Sequence, residues 1–111
     1  MMTNSDLLVN QILANLFRNE EFYRKVYSLL DVKYFQQDDI KPIVFKLFRH
    51  YVVNKNKQPT IDIIKLLVEN SKKLEKQRSY IIALLNNLNK LELIDDTDLY
   101  DETLKYIKRV S

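Results

Sequence analysis

The sequence contains no glycine among its 111 residues, and this absence excludes several classes of enzyme. The P-loop, the dinucleotide-binding fingerprint, the glycine-rich kinase loop and the nucleophile elbow all need a residue that accepts positive φ or lets the backbone approach a phosphate. Nucleotide chemistry is therefore close to excluded within this chain, and we expect no catalytic residue, bound cofactor or metal. Hairpin turns also depend on glycine, so its absence predicts an all-α fold without strands.

Cysteine and long apolar runs are also missing. Without cysteine there can be no disulfide, no thiolate nucleophile and no cysteine-based zinc site, which fits a reducing cytosol. The longest apolar runs, such as the one around residues 66–68, are far shorter than the roughly 20 residues that span a bilayer. The first residues lack the basic and apolar regions of a signal peptide. We therefore expect a soluble, cytoplasmic protein with no membrane partner.

What the sequence does contain is a helical pattern. Apolar residues make up 46% of the chain, which is enough for one compact core. Their spacing predicts helices over residues 5–17, 20–30, from 38 or 39 to the polar stretch 54–58, 61–70, 72–91, and from about 98 onward. Asn4 or Ser5 is predicted to cap the first helix, and Thr60 the fourth. We expect a compact bundle of about six helices.

The same spacing predicts which side chains face the core. They are Leu8, Ile12, Leu13, Leu16, Phe17, Phe22, Val26, Leu29, Leu30, Ile43, Val44, Leu47, Phe48, Tyr51, Val52, Ile61, Ile64, Leu67, Val68, Leu74, Ile81, Leu84, Leu85, Leu88 and Leu91. The adjacent aromatics Tyr34 and Phe35 are expected to fill the core between helices rather than to stack on a base. Five more tyrosines fall at the edges of the helical stripes, namely Tyr23, Tyr27, Tyr80, Tyr100 and Tyr106. Together these five favour a surface for protein contacts.

The last segment is predicted to be a helix with charges matched to its dipole. Acidic residues crowd its start, in residues 95–102, and basic residues follow in 105–109. Capping explains the acidic run better than calcium binding, because a calcium loop of the EF-hand type needs glycine. The apolar pattern of Tyr100, Leu104 and Ile107 still runs at the last residue, so we expect this helix to continue in a longer parent protein. The chain divides accordingly into a globular head, residues 1–94, and the start of a hairpin or linker helix, residues 95–111.

Positive charge is concentrated in residues 46–78, which hold nine lysines and arginines against three acids. The candidate contacts for DNA or for a partner are Lys55, Lys57, Lys72, Lys73, Lys76 and Arg78. This segment lacks the interleaved aromatics of a stacking platform, so an ordinary solvated face is favoured over weak, sequence-independent DNA binding. His50 is the single histidine and has no partner at the spacing of a metal site or a catalytic triad, so we expect it at the surface.

Four segments, taken in order, resemble the N-terminal domain of DnaB-type replicative helicases, most closely the T-even-like phage branch. They are residues 19–26 (NEEFYRKV), 32–35 (VKYF), 43–48 (IVFKLF) and 56–60 (NKQPT). The resemblance covers residues 5–92, and the segment from Leu99 resembles the start of the helical hairpin of that family. It implies a head that forms a collar on a hexameric ring, contacts neighbouring helicase subunits through Tyr100, Leu104 and Ile107 of the hairpin, and docks the primase.

The resemblance also implies where catalysis would lie. ATP, magnesium and translocation on single-stranded DNA would belong to a separate motor domain of a full-length parent, for which this chain carries no motif. Two alternatives come from the residues and the fold. One is a free-standing helical adaptor or nucleic-acid-binding regulator that uses residues 46–78, and the other is the structurally related helicase-binding domain of a primase. An enzyme is the least favoured class, since no acid–base or nucleophile constellation is present.

Overall fold

The computed structural model describes the backbone of residues 4–111 and the side chains from Asp6 onward. Over that range it contains helices and no strand: α1 (Asn4–Arg18), α2 (Glu20–Val26), α3 (Lys41–Lys55), α4 (Ile61–Glu69), α5 (Arg78–Lys90) and α6 (Asp96–Val110). Short 3₁₀ turns lie at Tyr27–Leu29, Val32–Phe35 and Lys72–Leu74. The radius of gyration, 13.3 Å, is that of a compact domain of this length. The predicted all-α bundle of about six helices is confirmed.

Helix α1 lies at the centre of the bundle and packs against α2, α5 and α6. Its residues 12–17 are all buried. Because consecutive residues of a helix point about 100° apart, such a run requires neighbours on every side of the helix. The polar member of the run, Asn15, is fully buried and donates from Nδ2 to the carbonyl oxygen of Gln11, at 2.8 Å. The amide is therefore satisfied inside the core.

Aromatic rings fill the space between α3 and the first two helices. The fully buried ring of Phe48 meets Phe17 edge to face, with ring centroids 4.9 Å apart, and lies 5.8 Å from Tyr23 and 5.9 Å from Tyr27. Phe35 stacks on Phe45 at 4.4 Å, and both rings are fully buried. The prediction that Tyr34 and Phe35 fill the core is confirmed, since both are buried.

Side-chain caps begin three of the helices. Asn19 Oδ1 accepts from the Phe22 backbone N–H, Thr60 Oγ1 from Ile63 N–H, and Asp95 Oδ1 from Thr97 N–H. These bonds satisfy donors that the first helical turn leaves without partners. The predicted cap at Thr60 is confirmed, and one member of the acidic run, Asp95, caps α6. The predicted cap at Asn4 or Ser5 lies outside the described side chains.

Two predicted helices are shorter than expected. The second ends at Val26 and tightens into the 3₁₀ turn Tyr27–Leu29, which leaves Leu29 exposed rather than in the core. The predicted helix over 72–91 begins only at Arg78, because residues 72–74 form a 3₁₀ turn. In both segments the apolar spacing continues through a turn, so periodicity alone does not show where the α-helix stops.

The third helix begins at Lys41 rather than at 38 or 39. Asp38 Oδ1 accepts from the backbone N–H groups of Ile40, at 2.8 Å, and Lys41, at 2.9 Å, and Oδ2 pairs with Lys41 Nζ at 3.0 Å. Burial raises the pKa of the Asp38 carboxyl, but these bonds outweigh it and hold the pKa below its ordinary value. Asp38 thus ties down the entry to α3 from outside the helix.

Several other core assignments also differ from the sequence prediction, and Val9, Ala14 and Leu99 are buried although they were not predicted to be. Phe45 was not expected in the core but is fully buried, because the 3₁₀ turn Val32–Phe35 places Phe35 against it. Leu67 was expected inside but is exposed, since Ile61, Ile64 and Val68 already form the buried face of α4. Tyr106 was placed at a stripe edge and is instead buried in α6.

Helix α6 joins the same core as the preceding helices. It packs on α1 and α2, and it buries Leu99, Thr103 and Tyr106. The hydroxyl of Tyr106 donates to the carbonyl oxygen of Tyr34 at 2.7 Å, and the two rings meet at 6.1 Å. Residues 96–110 are thus packed onto the bundle, while the division into a head and the start of a hairpin stays a prediction.

Candidate interaction surfaces

An open groove of about 590 Å³ lies between α1 and α6, and half of its lining residues are apolar. It is lined by Leu7, Leu8, Asn10, Gln11, Leu91, Ile94, Glu102 and Arg109. Leu7 is 56% exposed and Ile94 is 42% exposed, so the groove presents apolar surface to solvent. Its volume is in the range typical of ligand and side-chain pockets, about 300–1,000 Å³.

The wall formed by residues 91–95 is held in place by side chains of α1. Gln11 Nε2 donates to the Glu92 carbonyl at 2.8 Å, while Gln11 Oε1 accepts from the Ile94 N–H at 3.1 Å. Arg18 donates from one guanidinium nitrogen to the carbonyl oxygens of Leu88 and Leu91. The connection between α5 and α6 is therefore fixed against α1, and the groove is largely preformed.

Asn10 adds a polar feature to this groove. Its side-chain oxygen Oδ1 is buried and has no hydrogen-bond partner in the described part of the chain. A buried acceptor without a donor carries a desolvation cost of about 1–3 kcal/mol. Glu102 and Arg109 stand at the α6 side of the groove, so its rim carries both signs of charge. The groove therefore suits an apolar side chain with polar or charged groups beside it.

The predicted subunit contacts of α6 lie on the opposite flank of that helix. Tyr100, Leu104 and Ile107 are each half-buried. Tyr100 lines a shallow depression beside α2, where Lys25 Nζ lies 5.9 Å from its ring centre. Residues two apart on a helix point in nearly opposite directions, so Tyr100 cannot share the side of Glu102. The sequence missed the groove because its apolar residues come from α1 and from the connection before α6, outside any single stripe.

The basic residues of 46–78 spread over α3, α4, α5 and their connections. Lys55, Lys57, Lys72, Lys73 and Lys76 are exposed, and within residues 6–111 none of them forms an ion pair.

Arg78 differs from these lysines. It donates from Nε to the Val68 carbonyl at 3.3 Å and from a terminal nitrogen to the Ser71 carbonyl at 3.0 Å. Its guanidinium closes the end of α4, so it is a structural residue here.

The tyrosines do not form one surface. Tyr23 and Tyr27 pack against Phe48, and burial raises the pKa of both phenols above the ordinary value. Burial also raises the pKa of Tyr106, although the hydrogen bond from Gln37 opposes it. Tyr80 is well exposed at the start of α5. The expected tyrosine surface is therefore wrong for Tyr106.

No group of three or more potential metal ligands occurs among the described residues. His50 is exposed, as predicted, and its Nε2 lies 2.9 Å from the Asn54 amide nitrogen. Within residues 4–111, no helix combines the length and the apolarity needed to cross a membrane.

Comparison with known proteins finds one informative similarity. The chain is 28% identical over 102 residues to a DnaB-like replicative helicase of Enterobacteria phage T4. This supports a distant relation to the replicative helicases. The match covers 92% of this chain but 21% of the relative, so the chain spans about a fifth of the curated protein that it matches. No protein-family model matches the sequence, and no solved structure matches it.

The segments that carry the resemblance to helicase head domains lie together in the fold. Residues 19–26 form α2 with its cap, 32–35 form a 3₁₀ turn, and 43–48 lie in α3. They supply Phe22, Phe35 and Phe48 to one core. These segments of the resemblance thus contribute to the core, and the contact surfaces are left unassigned.

Proposed function

We propose that this chain is a helicase head domain that acts in DNA replication through protein contacts, joining helicase subunits and docking the primase. The similarity to the phage replicative helicase over nearly the whole chain carries this proposal. The all-helical fold supports it, as does the open groove between α1 and α6. ATP hydrolysis, magnesium binding and unwinding of DNA would belong to a motor domain of a larger protein. The site of action would be the cytoplasm, that of the host if the protein is phage-encoded.

The groove between α1 and α6 is the surface to which we assign these contacts. An apolar side chain of a helicase subunit or of the primase would cover Leu7 and Ile94. Burying exposed apolar surface contributes about 25 cal/mol per Å².

Docking is tested by calorimetric titration of the chain with the primase encoded in the same genome. Contact between subunits is tested by light scattering over a concentration series. We expect binding with a negative heat-capacity change, because apolar surface is buried. The double variant Leu7→Gln, Ile94→Gln should weaken it by about tenfold or more. Leu29→Gln is the matched control, since Leu29 is also an exposed leucine but lies outside the groove. Absence of both primase binding and self-association would contradict the proposal.

A second candidate is a nucleic-acid-binding regulator, favoured by the five exposed lysines without ion pairs. Labelled single-stranded DNA titrated at low and moderate salt distinguishes the two candidates. Binding that falls steeply with salt would support the regulator, because neutralised phosphates release counterions. No binding at low salt would eliminate it.

A further inference from the structure

Apolar residues cover a much wider arc of helix α4 than the face that is buried in the core. Six of its nine residues are aliphatic, and three of them, Ile61, Ile64 and Val68, form the buried face. The other three are Ile63, Leu66 and Leu67, and the last two are 53% and 43% exposed. At 100° per residue, the aliphatic side chains cover an arc of about 220°. A surface helix that only covers a core needs an apolar stripe of about 100°.

The three outer residues form a coherent strip. Their spacing is i, i+3 and i+4, which places them side by side on one face of the helix. The carboxylates of α4, Asp62 and Glu69, border the strip on its Leu66 side, about 40–60° around the helix from Leu66, and lie about 140–160° from Leu67. Contiguous exposed apolar surface of this kind marks an interaction site, whereas single exposed leucines need no explanation.

Positive charge stands at the C-terminal end of this strip. Lys72 and Lys73 follow α4 in a 3₁₀ turn, and both are exposed. Arg78 holds that turn against α4, because its guanidinium donates to carbonyls on both sides of the helix end, those of Val68 and Ser71. Neither lysine forms an ion pair with a carboxylate in residues 6–111. Their charge is thus available to a partner just beyond the C-terminal end of α4.

We propose that the strip of Ile63, Leu66 and Leu67, with Lys72 and Lys73 at its end, docks an acidic amphipathic helix of a partner protein. The strip receives apolar anchors at helical spacing, and the two ammonium groups receive carboxylates. A nucleic acid fits this surface less well, since the leucines offer nothing to phosphate and Tyr80 is the one well-exposed aromatic ring nearby in sequence. The surface is distinct from the groove between α1 and α6, so its test is independent of the proposed function.

The probe is a labelled synthetic helix of roughly 18 residues, about five turns, with leucines at i, i+3, i+4 and i+7 and glutamates beside them. Fluorescence anisotropy with the 111-residue chain should show binding that weakens with salt. The variant Leu66→Gln, Leu67→Gln should weaken it by about tenfold or more. The variant Lys72→Glu, Lys73→Glu should do the same at low salt and less at high salt.

Matched controls are Leu29→Gln and Lys46→Glu, which change exposed residues away from the strip and should leave binding unchanged. Amide shift perturbations on the wild-type chain should map to α4 and residues 71–74, which tests the site even if a variant folds poorly. Equal binding of a scrambled peptide of the same composition would overturn the proposal, as would no binding at all. If the chain binds oligothymidine, and the lysine variant weakens this binding while the leucine variant does not, the surface would be reassigned to nucleic acid. Self-association abolished by the leucine variant would reassign it to a second copy.

Discussion

Replacing Tyr106 by phenylalanine tests whether the contacts of α6 contribute to the stability of the bundle. The substitution removes one hydroxyl and keeps the buried ring that meets Tyr34. That hydroxyl donates to the Tyr34 carbonyl at 2.7 Å and accepts from Gln37 Nε2 at 2.6 Å, linking α6 to the turn Val32–Phe35. The variant therefore tests only the hydrogen bonds of this hydroxyl, which join residues far apart in the sequence.

The expected loss in unfolding free energy is about 1–3 kcal/mol, because two hydrogen bonds are removed and each contributes about 0.5–1.5 kcal/mol. A larger penalty would apply if an acceptor were left without a donor. The Tyr34 carbonyl keeps a second donor, however, because Gln37 Nε2 also reaches it, at 3.2 Å. For a domain of this size each kcal/mol lost corresponds to a decrease in Tm of roughly 3–6 °C.

Urea denaturation followed by circular dichroism measures this loss, with the slope m expected to stay constant. Tyr80→Phe is the control, since Tyr80 is exposed and its hydroxyl should contribute nothing. If Tyr106→Phe were as stable as Tyr80→Phe, the connection of α6 to the bundle would not depend on this bond. A loss above about 3 kcal/mol would exceed the contribution of two hydrogen bonds and would contradict the role assigned to this hydroxyl.

Three further substitutions test other parts of the structure. Phe48→Ala should lower the free energy of unfolding by about 3–5 kcal/mol in urea denaturation, because it leaves a cavity between Phe17 and the tyrosines Tyr23 and Tyr27. Val53→Ala is the control: Val53 is 74% exposed on the same helix, so this change should stay within about 0.5 kcal/mol. Thr60→Ala should cost about 1 kcal/mol through the lost cap of α4, and Thr97→Ala, whose side chain caps no helix, should cost less. Asp38 stabilises the fold fully above its unfolded pKa of 3.8, and this contribution is lost as the pH falls through its lower folded pKa. Asp38→Asn should therefore lose less stability than the wild type on acidification below pH 3.8, and an identical acid profile would contradict the assigned role.

Much of the fold could be predicted because its signals are local. The absence of glycine, the apolar spacing and the cap at Thr60 each act within a few residues, and they gave the helical class and the approximate positions of the helices. The burial of Tyr34 and Phe35 was also predictable, since adjacent aromatics in a short connection have few alternatives to the core. The ends of α2 and α5 were not, because a 3₁₀ turn can carry the same apolar spacing as an α-helix.

The sequence by itself determined that this protein is a helical bundle without glycine-dependent nucleotide motifs, and it determined which residues share a helix face. Tertiary structure decided which of those faces became covered. Helix α4 is apolar over too wide an arc for periodicity to choose between its sides, so the packing of Ile61 and Ile64 inward left Leu67 outside. The groove between α1 and α6 likewise exists only once Gln11 fixes residues 92–94 against α1. The physical reason is that a helix face is a local property, whereas the neighbour that buries it comes from elsewhere in the chain.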